Sequence, residues 1–256
     1  MKKYFILAAA ALTLAACSNE ESDNRVDNNV IRLTANMGEP TLTRAEVSIQ
    51  STAFDENELV KIEITPNGGS MSAKVYKAGA ASSNVNGLTV NTGDAFTWPA
   101  SGTVGIKAFY PSSVGSSTTS FTVSTDQSTA GSATGATDAE KGYKGSDLMY
   151  ATASITKSGT SSTGALTFTH KLSKIVVSAT AGAGVSKILE VRIIGGYRTI
   201  NISTPSTCTL GSTLSDANSA STYITMYSSG TSTTANCAAI IPPQTISGQF
   251  LQIVRR

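Results

Sequence analysis

The stretch Asp147–Ala181 (DLMYATASITKSGTSSTGALTFTHKLSKIVVSATA) constrains the fold more than any other part of the chain. It holds two runs in which apolar residues recur at every second position, the pattern of a half-buried β-strand. Met149, Ala151, Ala153 and Ile155 share one face of the first run, and Leu166, Phe168, His170 and Leu172 share one face of the second. Parity then slips to Ile175 and Val177. The spacing therefore predicts one extra residue near Ser173–Lys174, as a β-bulge or bend would insert. The Gly/Ser/Thr segment Lys157–Gly164 reads as the joint between two β-domains.

The same pattern recurs on both sides of this stretch. Ile31, Leu33, Ala35 and Met37 alternate with Arg32, Thr34 and Asn36, and Gly38-Glu39-Pro40 ends that strand. Val60, Ile62 and Ile64 share a face before the turn signal Asn67-Gly68-Gly69. Short strands are expected at Ala73–Tyr76, at Leu88–Val90 after Asn86-Gly87, and around Phe121 and Val123. Trp98-Pro99 opens a turn into a strand whose inward face is Val104, Ile106, Ala108 and Tyr110, stopped by Pro111. The polar run Thr125–Gly145 reads as a long loop. Further strands are expected at Ala165–Ala179, Lys187–Ile194, Tyr197–Ile202, Tyr223–Tyr227, Cys237–Ile241 and Phe250–Val254, with Gly195-Gly196 as a two-residue hairpin turn. Many short strands separated by turn residues predict an all-β chain of antiparallel sandwiches.

Composition removes most function classes. Of 256 residues only 14% are charged, net charge is +2, and no basic block follows the first three residues. Nucleic-acid binding has no electrostatic support. One His and one Trp limit catalysis further. His170 lies on an apolar strand face and reads as a core histidine. No phosphate loop, dinucleotide fingerprint, GxSxG elbow or CxxC pair is present. We read no enzyme, no metal and no cofactor. Trp98 reads as a core residue beside a turn, with a sugar-stacking platform as the other option.

The amino terminus follows different rules. Lys2 and Lys3 precede the short apolar run Tyr4–Ala16, which reads as a signal peptide over 1–16. It ends in Leu14-Ala15-Ala16-Cys17, which resembles the lipobox of bacterial lipoproteins, with acylation at Cys17. Ser18-Asn19-Glu20-Glu21-Ser22-Asp23 resembles the surface-export signal of Bacteroidetes lipoproteins. Export exposes Cys208 and Cys237 to oxidising conditions, so a disulfide between them and two separate buried thiols both remain open.

Four segments, in order, resemble the Bacteroidetes fimbrillin family, the subunits of type V pili. They are LTRA at Leu42–Ala45, FTWPASGTVGIKAFYP from Phe96, DLMYA with LTFTHKLSKIVV around residue 160, and AAIIPPQTISGQFLQI from Ala238. The resemblance implies two tandem transthyretin-like β-sandwich domains, over 45–157 and 158–256, behind a lipidated leader over 17–44. It implies cutting by an arginine-specific protease between Arg44 and Ala45. The cut would release the strand carrying Ile31, Leu33, Ala35 and Met37, whose place a strand of another pilus subunit would take. It also places the precursor on the outer membrane through its lipid, and the processed subunit in a fimbrium. By the same resemblance the closing strands of the second domain should follow Arg256. The alternative is a surface-anchored adhesin or glycan-binding lipoprotein that is neither cut nor polymerised.

Overall fold

The computed structural model describes residues 29–38, 53–131, 142–158, 162–204, 207–211, 223–228, 232–246 and 248–256. Their regular structure is almost all strand. In chain order they are β1 (Arg32–Met37), β2 (Leu59–Pro66), β3 (Ser72–Ser82), β4 (Val85–Val90), β5 (Thr103–Tyr110) and β6 (Ser120–Thr122), followed by the short helix α1 (Gly142–Gly145). Then come β7 (Met149–Thr156), β8 (Thr163–His170), β9 (Ser173–Thr180), β10 (Ile188–Ile193), β11 (Thr199–Thr204) and β12 (Thr207–Leu210). The last are β13 (Ile224–Thr225), β14 (Tyr227–Ser228), β15 (Thr234–Ile241) and β16 (Leu251–Arg255).

Seven strands form a closed barrel in the order β1-β4-β3-β2-β5-β7-β8. Alternation fills it. Ile31, Leu33, Ala35, Val60, Ile62, Val104, Ile106, Ala108, Tyr110, Leu166 and Phe168 all lie in one buried core. Trp98 is in that core at 6% exposure, so it offers no open face for stacking a sugar. The remaining strands make three three-stranded sheets, β13-β10-β16, β12-β11-β6 and β14-β15-β9, around a second core that includes Phe121, Val191, Ile193, Ile200, Ile224 and Ile241.

Several expectations change here. The all-β class holds, and seven of the strands join edge to edge into one ring. Both strands flanking Lys157–Gly164 belong to it, since β8 pairs with β1 and β7. The chain crosses to the second core after His170, and β9 pairs with β15. The parity slip near Ser173–Lys174 is therefore a change of sheet: Lys171 and Leu172 separate two strands that bury different faces against different cores. Gly195-Gly196 likewise joins strands of two different sheets, because β10 pairs with β13 and β16, and β11 with β12 and β6. The turn after β3 is Ser83-Asn84, both at positive φ (50° and 64°), as a two-residue hairpin of primed type requires. Asn86-Gly87 sits inside β4.

Candidate functional site

β1 is the piece that closes the barrel, since β4 and β8 meet only through it. On one side it pairs antiparallel with β4, Leu33 opposite Leu88 and Ala35 opposite Asn86. On the other it runs parallel to β8 over its whole length, from Arg32 opposite Thr163 to Met37 opposite Phe168. Bonds at its ends extend the seat. The Ile31 N–H donates to the Phe96 carbonyl at 2.8 Å, the Gly38 N–H to the Phe168 carbonyl at 2.8 Å, and the Trp98 N–H to the Asn29 carbonyl at 2.7 Å. The inward side chains Ile31, Leu33, Ala35 and Met37 are 1%, 3%, 1% and 9% exposed. All four residues picked from the alternation thus share one buried row.

The two walls of this seat differ. β4 is anchored from behind by Asn86, which is fully buried. Its amide oxygen accepts from the Phe54 N–H at 2.9 Å, and its amide nitrogen donates to the carbonyls of Phe54 at 2.9 Å and Gly79 at 2.7 Å. A buried amide so fully bonded fixes the edge it stands on. β8 is held to β7 by fewer pairs, Met149 with His170 and Tyr150 with Thr169. Farther along, Gly164 lets β8 approach closely: a Cβ there would lie 3.0 Å from Leu33 Cδ2 and 2.8 Å from Ile155 Cδ1. Sequence reading missed both Asn86 and Gly164. Each looks like ordinary turn or linker residue until its strand neighbours are known.

A buried polar cluster lies beneath the end of β8. The Asp147 carboxylate, 1% exposed, faces His170 Nδ1 at 2.8 and 3.0 Å. Burial opposes charge on the imidazole, but the hydrogen bond to Asp147 and its charge prevail and lift the His170 pKa above the ordinary value. Nearby, the Tyr110 hydroxyl donates to Glu58 Oε1 at 3.3 Å. Burial pushes the Glu58 carboxyl up to about 7, against the Tyr110 hydrogen bond and helped by the Asp147 charge. Lys144, itself lowered by burial, stands 3.9 Å from Glu58 while bonded to Asp55, and leaves Glu58 raised.

This cluster is built for holding, and His170 is a bonded core histidine as its strand position suggested. Its Nε2 is buried and meets no hydrogen-bond partner among the described residues. Among the described residues no group of three or more His, Cys, Asp or Glu side chains could hold a metal ion. Cys208 and Cys237 are free thiols, on strands of different sheets, and the bridge between them is not made. Burial raises the pKa of both. Cys17, Arg44 and Ala45 lie outside the described residues.

The fimbrillin-like family model matches residues 43–255. The match starts immediately ahead of Arg44 and leaves out β1. Among solved structures, a candidate cell adhesion protein of Bacteroides ovatus ATCC 8483 superposes with a TM-score of 0.57 at 16% identity, covering 88% of this chain and 82% of its own. Another, from Bacteroides uniformis ATCC 8492, gives a TM-score of 0.56 at 16% identity, covering 89% of this chain and 79% of its own. At that identity the likeness bears on the fold alone. No curated protein sequence matches the chain.

Proposed function

Because this chain belongs to the fimbrillin-like family, we propose that it is a structural subunit of a cell-surface pilus, built with a removable first strand. The precursor is exported as a lipoprotein, acylated at Cys17 after loss of residues 1–16, and held on the outer membrane. An arginine-specific protease cuts between Arg44 and Ala45. The leader with β1 then leaves, and a strand of another subunit takes its place by β-strand addition.

One observation carries this reading: among the described strands β1 alone pairs with both β4 and β8. The start of the family match at residue 43 supports the same division of the chain. The energetics suit a strand that can be exchanged. Four buried side chains contribute about 4–10 kcal/mol, against about 5–15 kcal/mol for a whole domain. A cut barrel without a replacement is close to unstable, so refilling the slot drives assembly without a nucleotide.

The second reading, an uncut surface adhesin, takes its support from the descriptions of the two structural relatives. Amino-terminal sequencing of the surface-exposed protein separates the two. Ala45 as first residue, abolished by Arg44→Ala, supports the pilus subunit. Retention of the leader with Arg44 intact supports the adhesin. Palmitate labelling lost in Cys17→Ala tests the lipid anchor independently, and equal labelling of both proteins refutes it.

A further inference from the structure

The inward row of β1 is uneven, and the unevenness matches its walls. Leu33 is long where β8 offers Gly164, whose missing side chain leaves room that Leu33 Cδ2 fills. Ala35 is short where β4 offers Asn86 and β8 offers Leu166, both buried at 1% exposure or less. Directly opposed residues on one face of a sheet stand within side-chain contact. Asn86 cannot yield space there without breaking three hydrogen bonds, two of them to the buried backbone of Phe54. Ala35 is itself 1% exposed, so no open space lies above its methyl group.

We propose that the slot selects its incoming strand by side-chain size at two adjacent inward sites, a large apolar residue beside Gly164 and a small one beside Asn86. This rests on the strand-exchange reading above and names the partner that reading requires. The partner is an extended segment of another subunit with alternating apolar residues, large at the Leu33 site and Ala, Gly or Ser at the Ala35 site. A strand with large residues at both places drives Asn86 off Phe54. One with a small residue beside Gly164 leaves a cavity.

The test has two arms. In the uncut chain, Ala35→Leu and Thr34→Leu place the same large side chain at neighbouring residues on opposite faces of β1. Ala35→Leu is expected to lower the melting temperature clearly below that of Thr34→Leu. Equal melting temperatures overturn size selection whether or not strands exchange. In the chain cut after Arg44 and freed of its leader, fluorescent peptides spanning Val30–Gly38 are titrated. The Ala35→Leu peptide is expected to bind about tenfold or more weakly than the parent sequence, the cost of overpacking a filled site. The Leu33→Ala peptide should lose about thirtyfold or more. The Thr34→Leu peptide should stay within about threefold, as a surface change does. Equal binding of all four overturns size selection. Failure of the parent peptide itself, with the leader gone, overturns strand exchange and the partner with it.

Discussion

The first and last strands of the described residues, β1 and β16, look alike in sequence and sit in opposite situations. Both carry apolar residues at every second position, Leu33, Ala35 and Met37 in β1 and Leu251 and Ile253 in β16, where the adjacent Val254 breaks the pattern. β1 is clasped on both sides, parallel to β8 and antiparallel to β4, with its inward row at 1–9% exposure. Among the described residues β16 pairs with β10 alone, at the margin of a three-stranded sheet, and its Ile253 is 47% exposed. Alternation reports that a strand has a dry face. It does not report how many neighbours the strand has, and the neighbours decide whether its removal opens a core. Among the described strands β1 is held on both sides, whereas β16 is a margin.

Substitution breaks or confirms this contrast most sharply. Leu33→Ala should cost about 2–5 kcal/mol of unfolding free energy, as deletion of a buried Leu does, measured by denaturant titration at constant m-value. A cost below about 1 kcal/mol would mean that β1 is no better packed than a surface strand.

The next effect concerns the wall that β1 leans on. Glu58, directly before β2, and His170, at the end of β8, both have raised pKa values. The sign is the same for each. The folded chain holds a Glu58 proton up to about 7 where the free carboxyl releases it near 4.5, so stability falls as pH rises across that interval. The stabilising charge on His170 is fully present below the ordinary imidazole pKa and is lost as pH rises through the raised one. Stability measured from pH 5 to pH 8 should therefore decline, with a Glu58 share on the order of 3 kcal/mol. Glu58→Gln should flatten most of that slope. An unchanged slope would refute the buried, raised carboxyl.

The smallest effect sharpens the contrast from the other end. Ile253→Thr on β16 should change stability by no more than about 0.5 kcal/mol, as surface substitutions do. A loss comparable to that of Leu33→Ala would make β16 a second plug.

The dry faces of the barrel were legible because period-two alternation encodes burial directly. Ile31, Leu33, Ala35 and Met37, and likewise Val104, Ile106, Ala108 and Tyr110, lie where their spacing puts them. Strand partnership was not legible, because the same alternation serves any neighbour. Hence both strands flanking Lys157–Gly164 lie in the barrel, and the slip at Ser173–Lys174 became a change of sheet. Polar residues that bond across the fold left no trace in sequence. Gln127 looked like part of a loop, yet its side chain bonds both the carbonyl and the N–H of Ile240. Asp147 stood in the sequence only as the first residue of the DLMYA segment, yet it holds His170. Asn86 resembled turn punctuation before Gly87, and it anchors the wall of the slot instead.

Hydrogen exchange on the chain cut after Arg44 bears most directly on the claim that β1 is a replaceable plug. Once the leader has left, amides of β4 and β8 should lose more protection than those of β2, β3 and β5. Addition of a peptide spanning Val30–Gly38 should restore the protection of both walls together. Protection in β4 and β8 that is unchanged by loss of the leader, or not restored by the peptide, would contradict the account.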